Sequence, residues 1–313
     1  MGAETIKLPA ISFSQLKQES GTPTRESVKS QVKFALRDFG CFLATFDQIP
    51  PNLRNSVIGG LKQLFDLPLQ TKLGNRSNIR YRGYSGQHPV MPLYESLGID
   101  DALDHGSLEA FTNLMWPEGN PDFCNSILSF SEQLSQLDQI VRKIVLESLG
   151  LEAYTDEHIG STDYVIRFQK YDPPKSHETE LGFAAHTDKN MITILYQNEV
   201  NGLEVLTKDG QWMTVELSPD SFIVVVGEAF RAWTNGRLHS VNHRVMMKGS
   251  LARYSIGLFS VPKEGYIIRA PEEMVDEEHP SLFKPFEYFK FLDFYLSGEG
   301  QRSSDALKQY CGV

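Results

Sequence analysis

The sequence predicts a mainly β fold with flanking α-helices, and three observations carry that prediction. Apolar residues recur at helical spacing through the first half, fall into short β-branched and aromatic segments after Tyr164, and give way to an aromatic-rich stretch near the end. No linker rich in Pro, Gly or Ser separates the halves and no internal repeat is visible. One domain is therefore expected over 1–313, mostly helical over 1–160, with a β core over 161–265 and a helical part over 266–313.

Thr22-Pro23 is a helix start, because a Ser or Thr can cap orphan amides and proline suits the first turn. The stripe Val28, Val32, Ala35, Leu36 and Phe39 then leads to Gly40. Pro50-Pro51 opens a second helix carrying Leu53, Val57, Leu61, Leu64 and Phe65. Residues 75–115, rich in Gly, Pro and Tyr, read as a long loop with short strands. From Asp122 to Leu149 the residues Ile127, Phe130, Leu134, Leu137, Val141 and Val145 predict one long helix backing a sheet.

Tyr164–Tyr171, Met191–Tyr196, Leu203–Thr207, Gln211–Glu216, Phe222–Val226 and Arg253–Phe259 read as strands, separated by turn residues such as Asn201-Gly202. Short strands in this number point to a sandwich or jelly roll, whose double sheet can enclose a small ligand. The run Phe283, Phe286, Tyr288, Phe289, Phe291, Phe294, Tyr295 predicts a helix on the core or across its mouth.

A formal charge of −10 with a pI near 5.3 argues against a nucleic-acid surface, which needs a concentrated basic face. The three cysteines, Cys41, Cys124 and Cys311, lie far apart and form no Cys-x-x-Cys pair, as expected of a reducing compartment. With no apolar run long enough to span a membrane, a cytoplasmic monomer with a small-molecule substrate is expected.

His186-Thr187-Asp188 is the feature richest in chemistry. In an extended segment alternate side chains share a side, so His186 and Asp188 can reach one ion while Thr187 points away. Two imidazoles and a carboxylate suit redox-active iron and leave its opposite face open. The second imidazole must come from elsewhere, and His239 and His243, four apart, would share a strand face. Spacing does not choose between them.

The surrounding residues do. Asn235-Gly236, Ser240, His243-Arg244 and Arg253-Tyr254-Ser255, ten residues beyond His243, resemble the plant Fe(II)/2-oxoglutarate-dependent dioxygenases. Leu8-Pro9-Ala10-Ile11, Phe39-Gly40-Cys41-Phe42, Phe65-Asp66-Leu67-Pro68 and Tyr81-Arg82-Gly83-Tyr84 extend the match over nearly the whole chain. Trp116-Pro117-Glu118-Gly119 and Val275-Asp276-Glu277-Glu278-His279-Pro280 are similar to a subgroup of oxygenases acting on glucosinolate side chains, lignans of the podophyllotoxin type and steroidal alkaloids.

The resemblance implies a double-stranded β-helix core, with His186, Asp188 and His243 as catalytic iron ligands. It implies Arg253, Ser255 and Tyr171, fifteen residues before His186, as contacts of 2-oxoglutarate. Gln169 stands where many members carry Asn, which changes one such contact. Arg167 and Phe259 correspond to substrate-facing positions, Phe230 and Trp233 are weaker pointers, and His239 reads as a polar residue near the site. The implied reaction consumes O2 and 2-oxoglutarate, with ascorbate in support, and hydroxylates, desaturates or cyclises a small plant specialised metabolite while releasing succinate and CO2. Two other readings use the same cup: an iron/ascorbate oxidase that dispenses with 2-oxoglutarate, and a non-catalytic binding protein.

Overall fold

The computed structural model describes residues 7–14, 21–77, 79, 82–175 and 178–313; Tyr81, quoted above, lies outside them. Strand β1 (Ala10–Ser12) runs parallel to β2 (Cys41–Thr45), with α1 (Pro23–Asp38) as the crossover that a parallel pair requires. Thr22 caps α1 by accepting from the Arg25 amide at 3.3 Å, and Pro23 occupies the first turn as expected. Next come α2 (Pro51–Asp66), α3 (Leu69–Lys72) and β3 (Tyr94–Ile99).

The stretch expected to be irregular also holds a helix, α4 (His105–Met115). Asp104 caps it by accepting from the Ser107 amide at 2.7 Å, and Leu108, Phe111, Thr112 and Met115 bury one face. The Gly and Pro content upstream masks this short amphipathic run. Asn120 then caps α5 (Pro121–Leu149), which ends at Gly150 with φ of 73°, a conformation that glycine adopts without strain. The buried stripe of α5 lies against α1, α2, α4 and the large sheet. Each fully buried Leu, Val or Phe of such a stripe contributes about 1.5–3 kcal/mol.

After α6 (Thr155–Gly160) the chain forms β4 (Thr162–Tyr171), β5 (Glu180–His186), β6 (Ile192–Gln197), β7 (Leu203–Leu206), β8 (Trp212–Thr214) and β9 (Ser221–Val226). It continues through α7 (Glu228–Trp233), β10 (His243–Met247), β11 (Arg253–Pro262), β12 (Ile267–Ile268), β13 (Phe286–Glu287), α8 (Tyr288–Leu296) and α9 (Ala306–Cys311). A seven-stranded sheet has the order β1-β2-β9-β6-β11-β4-β3 and a four-stranded sheet the order β5-β10-β7-β8. These are the two sheets of a jelly roll, and three strands of the larger one come from the part of the chain before residue 160. Every residue of β6 and β9 is buried, because α5 covers one face of this sheet and the cavity and small sheet cover the other.

Register fixes what the large sheet presents to the cavity. Arg253 lies opposite Tyr171 and Tyr171 opposite Tyr94; Ser255 lies between Gln169 and Gln197; Gly257 lies opposite Arg167, and Phe259 between Val165 and Thr193. Since alternate residues share a face, these rows form one wall, polar at the Arg253 end and apolar around Phe259.

On the helical side Arg142 is fully buried and donates to Asp138 at 3.4 Å, to the Thr162 hydroxyl at 2.8 Å and to His158. The Tyr164 hydroxyl also donates to Asp138, at 2.8 Å. This network joins α5, α6 and β4. Arg142→Leu should therefore cost about 3–5 kcal/mol, since it leaves a buried carboxylate without its cation. A urea titration checks this, and a loss below 1 kcal/mol would show that Asp138 does not depend on Arg142.

Candidate metal centre

His186 is the last residue of β5 and His243 the first of β10, and the antiparallel register sets them directly opposite each other. Their rings are 4.3 Å apart between centroids. His186 Nδ1 faces the Ala184 carbonyl at 2.9 Å and His243 Nδ1 the Val241 carbonyl at 3.3 Å. A carbonyl can only accept, so each Nδ1 carries the proton and each Nε2 keeps a lone pair for a metal.

Asp188 follows β5 in a turn that docks on the start of α7: Glu228 donates its amide to the Asp188 carbonyl at 2.8 Å and Ala229 to the Lys189 carbonyl at 3.1 Å. The approach requires Gly227, where a Cβ would collide with the Asn190 carbonyl. Thr193, fully buried on β6, donates its hydroxyl to Asp188 Oδ2 at 2.6 Å. Oδ1 then faces the imidazoles, 3.6 Å from His186 Nε2 and 3.8 Å from His243 Nε2.

Metal bonds of about 2.1 Å set neighbouring donors roughly 3 to 3.5 Å apart, so Asp188 Oδ1 needs to close on each imidazole by only a few tenths of an ångström, and all three donor atoms lie within 4.8 Å of one another. The donor set fits Fe(II). Two nitrogens and one oxygen converge from one side, and among the described residues no other His, Cys, Asp or Glu joins the group. Burial works against ionisation of Asp188, but His243, His186 and the Thr193 hydroxyl outweigh it and hold the carboxyl well below its usual range.

Burial, and then the adjacent His186 ring, push His243 down to about 4, against the pull of Asp188. His239 is pushed down to about 4 by burial and then by Lys208 and Arg231, and burial beside Arg142 takes His158 well below its ordinary value. These rings stay neutral in the folded protein at a pH where unfolded histidines, near 6.5, have taken up protons. The stability that these three rings contribute to the metal-free protein is thus full above about pH 6.5 and falls as pH drops toward 4. For His243 alone the loss at pH 5 is on the order of 2 kcal/mol. Urea midpoints at pH 7 and 5 test this: the expected midpoint is lower at pH 5, and an unchanged one contradicts neutral burial.

The three candidate ligands open onto a cavity of about 540 Å³, whose wall also includes Arg253, Tyr171, Gln169, Arg167 and Phe259. Arg253 is 2% exposed, donates from Nε and Nη2 to Gln197 Oε1 at 3.0 and 2.8 Å and from Nη1 to the Ser255 hydroxyl at 3.2 Å, and sits 5.0 Å from the Tyr171 ring centre. Ser255 in turn donates to Gln169 at 3.0 Å, so Gln169 belongs to this cluster. Among the described residues no carboxylate pairs with Arg253. A desolvated cation held by neutral groups is a receptor for an anion.

Arg167 donates to the Tyr94 and Ser96 hydroxyls at 3.0 and 2.6 Å, and Val165, Phe259, Val261, Tyr288 and Leu292 supply an apolar surface. Tyr288, Leu292 and Tyr295 place the aromatic helix α8 at the cavity, where Lys189 Nζ lies 4.1 Å from the Tyr295 ring centre. Two expectations are corrected. Phe230 and Trp233 face away from the cavity and pack on the buried His158 ring. His239 precedes β10, with its amide bonded to the Leu36 carbonyl at the end of α1, and does not line the cavity. Thr193 and Gln197 carried no signal in the sequence, since their roles arise only from sheet register.

The chain matches the model of the 2OG-Fe(II) oxygenase superfamily over residues 162–262 and that of the N-terminal region of non-haem dioxygenases in morphine synthesis over residues 8–121. It is 47% identical over 312 residues to "Probable 2-oxoglutarate-dependent dioxygenase AOP1.2" of Arabidopsis thaliana, covering 98% of this chain and 96% of that protein. It is 32% identical over 410 residues to "2-oxoglutarate-dependent dioxygenase AOP3" of the same plant, covering 100% and 99%. The crystal structure of the dioxygenase for auxin oxidation in rice superposes with a TM-score of 0.84 at 30% identity, covering 98% of this chain and 100% of that one. JOX2 in complex with 2OG, Fe and JA shares the fold at a TM-score of 0.82 and 23% identity, covering 99% and 90%.

Proposed function

The chain belongs to the 2OG-Fe(II) oxygenase superfamily as a 2-oxoglutarate-dependent dioxygenase, and from that membership we propose that it oxidises a C–H bond of a small plant specialised metabolite through the cavity just described. His186, Asp188 and His243 hold Fe(II), while Arg253, Ser255 and Tyr171 receive the far carboxylate of 2-oxoglutarate. One observation carries the reading: a three-donor cluster and a buried guanidinium with no acidic partner among the described residues share one cavity. Iron with its cosubstrate supplies the oxidant, 2-oxoglutarate, O2 and a C–H bond yielding succinate, CO2 and a C–OH group when the outcome is hydroxylation.

The protein's own part is positional. Thr193 turns one oxygen of Asp188 toward the metal and the two carbonyls fix the imidazole tautomers. Arg253 binds in two places and cannot lose its charge. Val165, Phe259, Val261 and Leu292 exclude water from the space beside the metal, and Arg167 and Phe259 face the substrate. The buried Arg253 favours a diacid cosubstrate over the oxidase reading that needs none.

Anaerobic reconstitution with Fe(II) and 2-oxoglutarate is the test, followed by O2 and a plant-metabolite extract. A visible charge-transfer band followed by extract-stimulated succinate is expected. A protein that binds iron yet forms no band and releases no succinate rejects the proposal.

A further inference from the structure

Arg253 is held from behind by a residue outside the cavity wall. Gln197, 5% exposed on β6, takes both the Nε and Nη2 protons of Arg253 on one oxygen, while its amide nitrogen donates to the Val200 carbonyl and to Asn201 Oδ1, each at 3.1 Å. Those two donations settle which end of the amide faces the arginine. A guanidinium has five N–H groups. Two go to Gln197 and one to Ser255, so one N–H on each terminal nitrogen is not taken by these two partners and can meet a carboxylate beside the Tyr171 ring.

We infer that Gln197 is a positioning residue for the cosubstrate: its neutral oxygen aims the Arg253 fork into the cavity without cancelling the charge that the far carboxylate must meet. The inference rests on the 2-oxoglutarate reading above. It explains why a neutral amide suits this position. A glutamate could accept the same two protons, but it would pair with the guanidinium from within and compete with the ligand.

The test compares wild type with Gln197→Glu and Gln197→Leu in the metal-loaded protein without O2, titrated by calorimetry with 2-oxoglutarate and with its 5-carboxamide, which lacks the far charge. Wild type should favour 2-oxoglutarate over the amide by about 10-fold or more, as for one charge-assisted contact. Gln197→Glu should weaken 2-oxoglutarate by at least about 10-fold, leave the amide within about threefold and keep metal affinity, so that the preference collapses. Gln197→Leu, which removes the aim and keeps the cation, should weaken 2-oxoglutarate about 3- to 10-fold.

A folded Gln197→Glu protein that retains the wild-type preference overturns the inference. So does one that weakens both ligands equally, since that reports general damage. If Gln197→Glu gives no cooperative melt, Gln197→Leu decides, and wild-type 2-oxoglutarate affinity there overturns the inference. Wild-type protein that takes up metal but no 2-oxoglutarate removes the parent reading instead, which is a separate result.

Discussion

Asp188→Asn is expected to lower iron affinity by more than about 100-fold, because loss of a partner that merely orients a ligand already costs 10–100-fold. The variant keeps the shape of the side chain and an oxygen for the Thr193 hydroxyl, 2.6 Å from Oδ2 in the native protein, so the turn has reason to stay in place. What it loses is the charge that faces both Nε2 atoms at 3.6 and 3.8 Å. Calorimetric titration with Fe(II) without O2, alongside a thermal melt, separates loss of metal from loss of fold. Iron bound within tenfold of wild type would take Asp188 out of the ligand set.

The second large effect is at the other end of the cavity. Arg253→Ala removes a charged hydrogen-bond donor worth about 1.5–3 kcal/mol, so 2-oxoglutarate should bind roughly 10- to 150-fold more weakly while iron affinity holds. Arg253→Lys keeps a cation but not the planar fork and should fall between. Unchanged cosubstrate affinity in Arg253→Ala would mean that the far carboxylate is bound elsewhere. These two variants divide the site, one losing metal and the other losing cosubstrate.

Local signals were legible in the residues themselves, and non-local ones only where the family resemblance supplied them, as it did for His243 and Arg253. Thr22-Pro23, Pro50-Pro51 and the stripe from Ile127 to Val145 mark three helices because caps and periodicity are written within a few residues. The two-residue spacing of His186 and Asp188 is similarly local. Opposite His186, by contrast, stands His243, 57 residues later, and only strand pairing brings them together. His239 had the same chemistry and helical or strand spacing could not reject it, but its amide is spent on the end of α1. The contribution of β1, β2 and β3 to the large sheet was hidden for the same reason: nothing in Cys41–Thr45 says that its partner is Ser221–Val226. Thr193 and Gln197 look like ordinary strand residues until register sets one beside Asp188 and the other beside Arg253.

The origin of the three metal donors has a mechanical consequence. Both histidines belong to the four-stranded sheet, whereas Asp188 is steadied by Thr193 of the seven-stranded one. An ion bound there rivets the two layers of the jelly roll at its open end. Its removal should loosen one layer against the other, so amides of β5 and β10 should exchange with deuterium faster in chelator-treated protein while those of α5, on the opposite face of the large sheet, keep their protection.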